Sequence, residues 1–582
     1  MLDGHNIKKG VAANTPTGES VSDAALRGES AMLSLAIRNA NLVDGTGAAP
    51  VRADVGVVGD RIVSIGRVEG VATVEIDAAG QTLSPGFIDI HTHYDPQLCW
   101  DRYATPTPEH GVTSLVMGNC SISLSPVRAK DRQRAIHLFG SVEDMEGRLL
   151  EATVPFSWET APEYLAYLKQ GLGPNVASLV GHAMVRLYVM GDAAQARAAT
   201  ETEVAQMCAI MAEAMTAGAL GLSFTFNHFD ERGRPLPSHY SDRQERLRLL
   251  QTLAKSGRGV VEVAPNFFRK GLGLEEIDFW GELALETGVT TSLSPILVMP
   301  NMEGAWQIIL ERFEHWRARG APLFGQTQVR PLDMTLQLSK GSAILSKATT
   351  WRESFELPHD QRLSFYGDPT TRAQLVAEGE RLKAAMQALT VKRGRSPATV
   401  GLEGRKLTEI AAERAEPFTE TMLDIAIADD LETEFALDGF LHSDEDKVAH
   451  LLKSPAVHIG SGDAGAHISQ FAGAGDTSYL FERFVRQRGD LSLPEAVRRL
   501  TSELADHWGF QDRGRIVPGA FADLTLFDPK TIARGDETWV DDVPGGQGRY
   551  IRRPTGISRV IVNGEVLVAD GAYAQSHPGR LI

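Results

Sequence analysis

The sequence predicts an α/β fold: a (β/α)8 barrel of the TIM type carrying a small β-sandwich. Three observations predict it. Apolar strand-like runs alternate with helix-length amphipathic stretches through the middle of the chain, the pattern of a parallel sheet covered by helices. Eight such runs can be counted, which is the number a closed barrel needs. Both ends of the chain carry short alternating strands broken by turn pairs, too few at either end to bury a sheet face alone.

The terminal strands come first in chain order. "SLAIRNANLVDGTGAAPVRADVGVVGDRIVSIG" turns at Asp44-Gly45 and Gly59-Asp60. Near the other end, "GRIVPGAFADLTLFDP" and "ISRVIVNGEVLVADGAY" repeat the pattern with a tight turn expected at Asn563-Gly564. The eight barrel strands are read at "FIDIHTH", "VTSLVMGNC", "VASLVGHAMV", "GALGLSFTF", "GVVEVAPN", "TTSLSPIL", "LFGQTQV" and "AVHIGSGDA". The expected organisation is a loose extension over 1–32, the first part of the sandwich over 33–84, and the barrel over 85–514. A helix-rich insertion falls at about 333–450, and the second part of the sandwich covers 515–582. The insertion, between the last two strands, reads equally as a lid or as a peripheral buttress.

Composition narrows the function. Of 582 residues 43% are hydrophobic and 23% charged, as in an ordinary globular protein. The net charge of −17 is spread along the chain without a basic tract, which argues against nucleic acid and anionic membranes as partners. No apolar run approaches the roughly 18 residues of a membrane-spanning helix. The 1–32 stretch lacks the apolar core of a secretion signal. Three cysteines make no disulfide framework and suit a reducing cytoplasm; Cys99 and Cys208 read as packing residues. Homo-oligomerisation is left open.

Chemistry concentrates at the strand ends. In "SPGFIDIHTHYDP" the strand period of two puts His91 and His93 on one face, and two neutral imidazoles suit zinc or a similar divalent ion. Alone, such a pair is more often a surface or core feature; its place at the end of a first barrel strand favours a metal. Cys120 closes the second strand in a Gly-Asn-Cys turn, as a thiolate ligand or as a small buried hydrophobe. Asp463 ends the eighth strand among glycines, where its carboxylate could bind metal, take a proton from a metal-activated water, or cap the next helix.

Together "PGFIDIHTH", "GVTSLVMGNCSISLSPV", "GALGLS", "GSGDAGAH" and "DRGRIVPGAFADLTLFDP" resemble the amidohydrolase superfamily, and within it the D-aminoacylase (N-acyl-D-amino-acid deacylase) group. The resemblance runs over nearly the whole chain after residue 33. It implies the barrel with a sandwich built from both chain ends, and metal-centre roles for His91, His93, Cys120 and Asp463. It further implies hydrolysis of a non-peptide amide, of an N-acyl amine or N-acyl amino acid, by metal-activated water with Asp463 shuttling the proton to the leaving nitrogen.

The sequence departs from that group in two places. The group takes a histidine from the fifth strand and another from the sixth for its tightly held zinc, yet no histidine lies between His239 and His315. One or two zinc ions therefore remain open, with one favoured; Glu262, or His228 and His239 from "NHFDERGRPLPSHYS", are the replacements to test. The group also grips its substrate carboxylate with an arginine after the strand-eight aspartate, and here none occurs before Arg483. The resemblance thus implies the chemistry, without fixing a D-amino acid as the product.

The remaining candidates are weighed singly. His182 could bond the substrate or a ligand group, or be a satisfied structural histidine. His467 is expected to support the site without ligating. Asp95 could orient a ligand imidazole or form the turn before Pro96. Glu143, Asp144 and Glu146 read as a solvated loop. In the unusual row Gln326, Gln328, Arg330, the arginine is the candidate to grip an acidic or carbonyl group of substrate. Alternative functions on the same barrel are mononuclear deamination, non-hydrolytic decarboxylation, or no catalysis. The missing fifth-strand histidine weighs against the first two, and retention of His91, His93, Cys120 and Asp463 against the last.

Overall fold

The computed structural model describes residues 32–143, 145, 147–267, 271–300, 302–340, 342, 344–437, 439 and 441–582. The extension expected over 1–32 therefore falls, but for its last residue, outside the described residues, as do Asp144 and Glu146.

Strands β1 (Leu33–Leu42), β2 (Val51–Val58), β3 (Arg61–Gly66), β4 (Ala72–Asp77) and β5 (Thr82–Pro85) open the chain. The barrel strands follow as β6 (Phe87–Asp89), β7 (Val112–Met117), β8 (Asn175–Gly181), β9 (Gly221–Thr225), β10 (Val260–Ala264), β11 (Thr290–Leu293) and β12 (Leu323–Thr327). After β13 (Thr335–Leu336), β14 (Thr390–Arg393) and β15 (Glu434–Ala436) of the insertion comes the last barrel strand, β16 (Val457–Ile459). The chain finishes with β17 (Leu524–Phe527), β18 (Glu537–Val543), β19 (Gln547–Arg552), β20 (Ile557–Val562), β21 (Glu565–Ala569) and β22 (Ala572–Tyr573).

The eight barrel strands are parallel and lie side by side in the order β6-β7-β8-β9-β10-β11-β12-β16. The ring closes just beyond the ends of its first and last strands, where Thr92 bridges Ala464 and the His93 N–H donates to the Ala464 carbonyl at 2.8 Å. An apolar cluster including Ile88, Ile90, Val116, Leu179, Val260 and Trp508 fills the lower interior, leaving polar groups to its upper end. Helices pack outside, and two of them start on reciprocal caps: Thr160 with Glu163, and Thr200 with Glu203.

The two chain ends meet in one nine-stranded sheet, because β17 pairs antiparallel with both β5 and β20. It forms the small sandwich, with Leu35, Ile37, Val55, Leu83, Leu524 and Ile561 in one core. Between β12 and β16 the insertion builds its own three-stranded sheet, β13-β15-β14, and a separate core around Trp351, Tyr366, Met422 and Phe435. The hairpin β18–β19, which sequence reasoning did not pick out, leaves the sandwich to touch both neighbours. The Tyr550 N–H donates to the Ile468 carbonyl, its hydroxyl meets Glu434, and Glu537 pairs with Lys392. Among the described residues no helix is long and apolar enough to cross a membrane.

Candidate metal centre

His91 and His93 flank the closing bridge, so the two rings stand at the upper rim of the barrel, 5.3 Å apart by centroid. Cys120 arrives through a turn that only glycine can begin. Gly118 has φ +80°, and a Cβ there would lie 2.2 Å from the Leu179 carbonyl oxygen. Asp95 sets this turn, its side chain accepting the Gly118 N–H at 2.9 Å, so of its two readings the structural one is what this contact serves. Gly465 serves the opposite rim: a Cβ at its φ of +91° would press within 2.9 Å of the His93 main chain. Cys120 and Asp463 both hold left-handed backbone, φ +53° and +55°, a strain of roughly 1–2 kcal/mol each.

The donor atoms converge. The facing nitrogens and sulfur of His91, His93 and Cys120 lie within 4.8 Å of one another. Cys120 Sγ is 3.6 Å from His91 Nε2, and Asp463 Oδ1 is 3.3 Å from His91 Nε2 and 3.6 Å from His93 Nε2. With zinc bonds of about 2.0–2.1 Å to nitrogen or oxygen and about 2.3 Å to sulfur, a tetrahedron has edges of about 3.3 Å between light donors and about 3.6 Å to sulfur. The three separations observed, 3.6, 3.3 and 3.6 Å, are close to those edges, while Asp463 meets the two imidazoles and lies outside the tighter group of His91, His93 and Cys120; these are the residues that could hold one such ion.

The electrostatics point the same way. Burial holds His91 neutral, with its pKa down to about 4, and lowers His93 likewise. Asp463 stays ionised against the cost of burial because His93 hydrogen-bonds it and His91 and His93 lie beside it. Burial, together with Glu262, Glu143 and Asp463, pushes the Cys120 thiol well up. Neutral imidazoles, a carboxylate and a thiol that a cation would deprotonate are groups that could hold a cation.

A second ring of side chains supports these donors. Glu143 closes the helix Arg132–Glu143, is buried, and its Oε1 lies 3.1 Å from His93 Nδ1. The solvated loop expected around it is corrected for Glu143: the acidic run ends a helix packed inward by Ile136, Phe139 and Val142. His467 donates its main-chain N–H to the Glu143 carbonyl at 2.8 Å, and its ring stacks on Phe471. Glu262 points into the barrel from β10, its Oε2 accepting the Cys120 N–H at 3.0 Å. Gln326 Oε1 is 3.1 Å from His91 Nδ1.

Other candidates lie elsewhere. His182 is fully buried with both ring nitrogens used, on Ser238 Oγ at 3.0 Å and Glu245 at 2.8 Å, so it does not face substrate. Through Ser238, which bonds Ser121 Oγ at 2.8 Å, it braces the residue after Cys120. Arg330 is corrected: only 1% exposed, it pairs with Asp476 at 2.9 Å and donates to the Gly462 carbonyl at 2.9 Å, holding the strand-eight loop in place of any substrate. His228 is half-buried, fixed by Thr225 Oγ1 at 2.7 Å, and feels the charges of His93, Asp463 and His467. His239 rests on the rings of Phe226 and Phe229. Neither joins the donor cluster found among the described residues, so neither replaces a strand-five or strand-six ligand. Cys99 and Cys208 pack against the main core.

Barrel, sandwich and donor set define a metal-dependent hydrolase, and the sequence matches the amidohydrolase family over residues 74–568. The chain belongs to that family, whose enzymes hydrolyse C–N bonds other than peptide bonds. It is 28% identical to a D-aminoacylase of Alcaligenes xylosoxydans xylosoxydans over 94% of this chain and 97% of that one. The crystal structure of N-acyl-D-glutamate deacylase from Bordetella bronchiseptica, complexed with zinc and a phosphonate mimic of the tetrahedral intermediate, aligns with TM-score 0.68 at 25% identity, covering 94% and 99% of the two chains. A D-aminoacylase structure with a binuclear metal center, described by one-metal activation and second-metal attenuation, aligns with TM-score 0.65 at 25% identity and the same coverage.

Proposed function

We propose that this chain is a zinc-dependent deacylase that cleaves the amide of an N-acyl amine or N-acyl amino acid, with His91, His93, Cys120 and Asp463 as the metal-holding set. The spacing of the donor atoms carries the reading: His91, His93 and Cys120 converge within 4.8 Å, and the Cys120–His91, Asp463–His91 and Asp463–His93 separations are close to those of donors sharing one zinc ion. When bound, the ion would supply Lewis acidity, making water acidic enough to attack near neutral pH and polarising the amide carbonyl. The relatives named above act on N-acyl-D-amino acids by their names, which supports the substrate class.

The chain's own groups supply the rest. Asp463 is ionised and its side chain is 30% exposed, so a carboxylate oxygen can meet both water and a leaving nitrogen at the rim. It takes the proton of the attacking water and returns it to nitrogen as the C–N bond breaks. Glu143 holds the His93 ring by its far nitrogen, and Glu262 holds the Cys120 main chain, so these donors need no rearrangement on binding. His228, held by Thr225 Oγ1 just after β9, feels the charges of His467, His93 and Asp463 and is followed in the chain by the exposed Phe229, so it is a candidate to line the way in for an acyl chain. The occupant is a small amide, and three unpaired cysteines fit a reducing cytoplasm as its location.

The test is elemental analysis together with amine release from N-acetyl and longer N-acyl derivatives of D- and L-amino acids and simple amines. Zinc at one or more per chain with amine release, both lost in Asp463→Ala or Cys120→Ala, is the expected result. A protein that neither holds nor regains zinc, or that releases no amine from any acyl amide while fully loaded, overturns the reading.

A further inference from the structure

Resting on that reading, the geometry points to a centre built for a single ion, in which Glu262 on the fifth barrel strand and Gln326 on the seventh are positioning residues, in place of a second set of imidazole ligands from strands five and six.

The argument begins with what is bonded to what. Gln326 Oε1 faces His91 Nδ1 at 3.1 Å, and Ser461 Oγ donates to the same oxygen at 3.4 Å, itself held by Ser294 Oγ at 2.6 Å. An amide carbonyl accepts only. Its partner Nδ1 must therefore carry the proton, which leaves the Nε2 lone pair free on the side of Cys120 and Asp463. The reverse tautomer would put N–H where the ion must bind. Gln326 comes from β12 and is fully buried, so its amide cannot be exchanged for solvent.

Glu262 does the corresponding work for the sulfur. The left-handed Cys120 presents its N–H inward, and Glu262 Oε2 accepts it at 3.0 Å. The other oxygen, Oε1, has no hydrogen-bond partner among the described residues and lies 3.9 Å from His91 Nδ1.

A second ion would need ligands on the β10–β12 side of Cys120. Among the described residues the polar side chains met there are Glu262, Gln326, Ser223, Ser294 and Ser461; the imidazole of His442, which reaches this side from the insertion, is used on the Val298 N–H and the Gln328 carbonyl. Gln326 Oε1 is already given to His91, and serine hydroxyls are poor ligands for zinc. That leaves the shared sulfur and one carboxylate, too few for tight binding. The binuclear center of the D-aminoacylase aligned above is thus reduced here to one position, whose neighbours have become supports for its two buried donors.

The experiment is calorimetric zinc titration of the metal-free full chain, with elemental analysis, alongside spectra of the cobalt(II)-loaded protein that report sulfur ligation. Variants are Gln326→Met, Gln326→Glu, Glu262→Ala and Glu262→Gln, each checked for folding by circular dichroism. The expected result is one zinc per wild-type chain. Gln326→Met should lose about tenfold or more in zinc affinity, and Gln326→Glu, which keeps an acceptor, should recover most of it. Glu262→Ala should weaken the thiolate-to-cobalt band, and Glu262→Gln should preserve it. Two tightly held zinc ions in the wild type, unchanged affinity in both Gln326→Met and Glu262→Ala, or Gln326→Glu failing as badly as Gln326→Met would overturn the inference. These readouts need no substrate: failure of the deacylase reading would show as absent amide hydrolysis with the one-zinc pattern intact.

Discussion

Glu143 Oε1 lies 3.1 Å from His93 Nδ1, while the equivalent nitrogen of His91 faces the neutral carbonyl of Gln326 at the same distance. The two imidazoles of one His-x-His pair are thus held by different chemistry. A buried carboxylate makes His93 the more basic donor and compensates part of the charge of a cation; a buried amide orients His91 without adding charge.

Glu143 is accordingly expected to matter to metal retention more than its position in an acidic run suggests. Glu143→Ala should weaken zinc binding by about 10–100-fold. Competition against a chromophoric chelator measures this directly, and an unchanged affinity would remove Glu143 from the site.

Removing the metal should also loosen the fold. Dialysis against a strong chelator is expected to abolish hydrolysis and lower Tm, and zinc in hundredfold excess over its Kd to restore about 2.7 kcal/mol of stability. Differential scanning calorimetry of the metal-free and reloaded protein tests it, with coincident melting curves as the contrary result.

Arg330, although it does not reach substrate, should be costly to lose. Arg330→Met would strand the largely buried Asp476 carboxylate, and breaking such a pair costs about 3–5 kcal/mol. The double variant Arg330→Met/Asp476→Asn should regain part of that, as read by urea unfolding. An effect under about 1 kcal/mol would mean solvent reaches Asp476 freely.

Stability should fall in mild acid. Burial holds His182 and His442 neutral in the fold down to about pH 4, and His110 to about 3, whereas unfolded histidine takes its proton near 6.5. Between those limits the unfolded chain binds more protons, so stability rises with pH and is lost as pH drops through 6.5 toward 4. Each such histidine contributes at most about 1.4 kcal/mol per pH unit. Denaturant midpoints at pH 7 and pH 5 for wild type and His182→Gln should show a flatter dependence in the variant. Parallel slopes would mean that His182 is protonated in the fold.

The eight strands and the joined ends were readable in the sequence because buried parallel strands write themselves as unbroken apolar runs, and sandwich strands as alternations closed by Asp-Gly or Asn-Gly. The convergence of His91, His93, Cys120 and Asp463 was readable because each ends such a run. Glu143 was not: three acidic residues in six look like a solvated loop unless the helix before them is known to bury its apolar side. Arg330 was misjudged for a related reason. A buried arginine at a strand end has two uses, gripping substrate or tying loops, and only the place of Asp476 far along the chain decides between them. Gln326 was noticed as unusual in a strand, but its partner His91 belongs to the opposite end of the barrel sequence, beyond the reach of any local pattern.

Among the described residues the barrel's ring is joined by one main-chain bridge, Thr92 to Ala464, and His91, His93 and Asp463 straddle that joint. An ion held there is a rivet across a seam. The first and last staves of the barrel, far apart in synthesis, would be fastened only after the whole chain has emerged and the cation has arrived. Catalytic competence and completed assembly then become a single event, and a chain that never meets its metal retains a barrel with its weakest joint at the mouth.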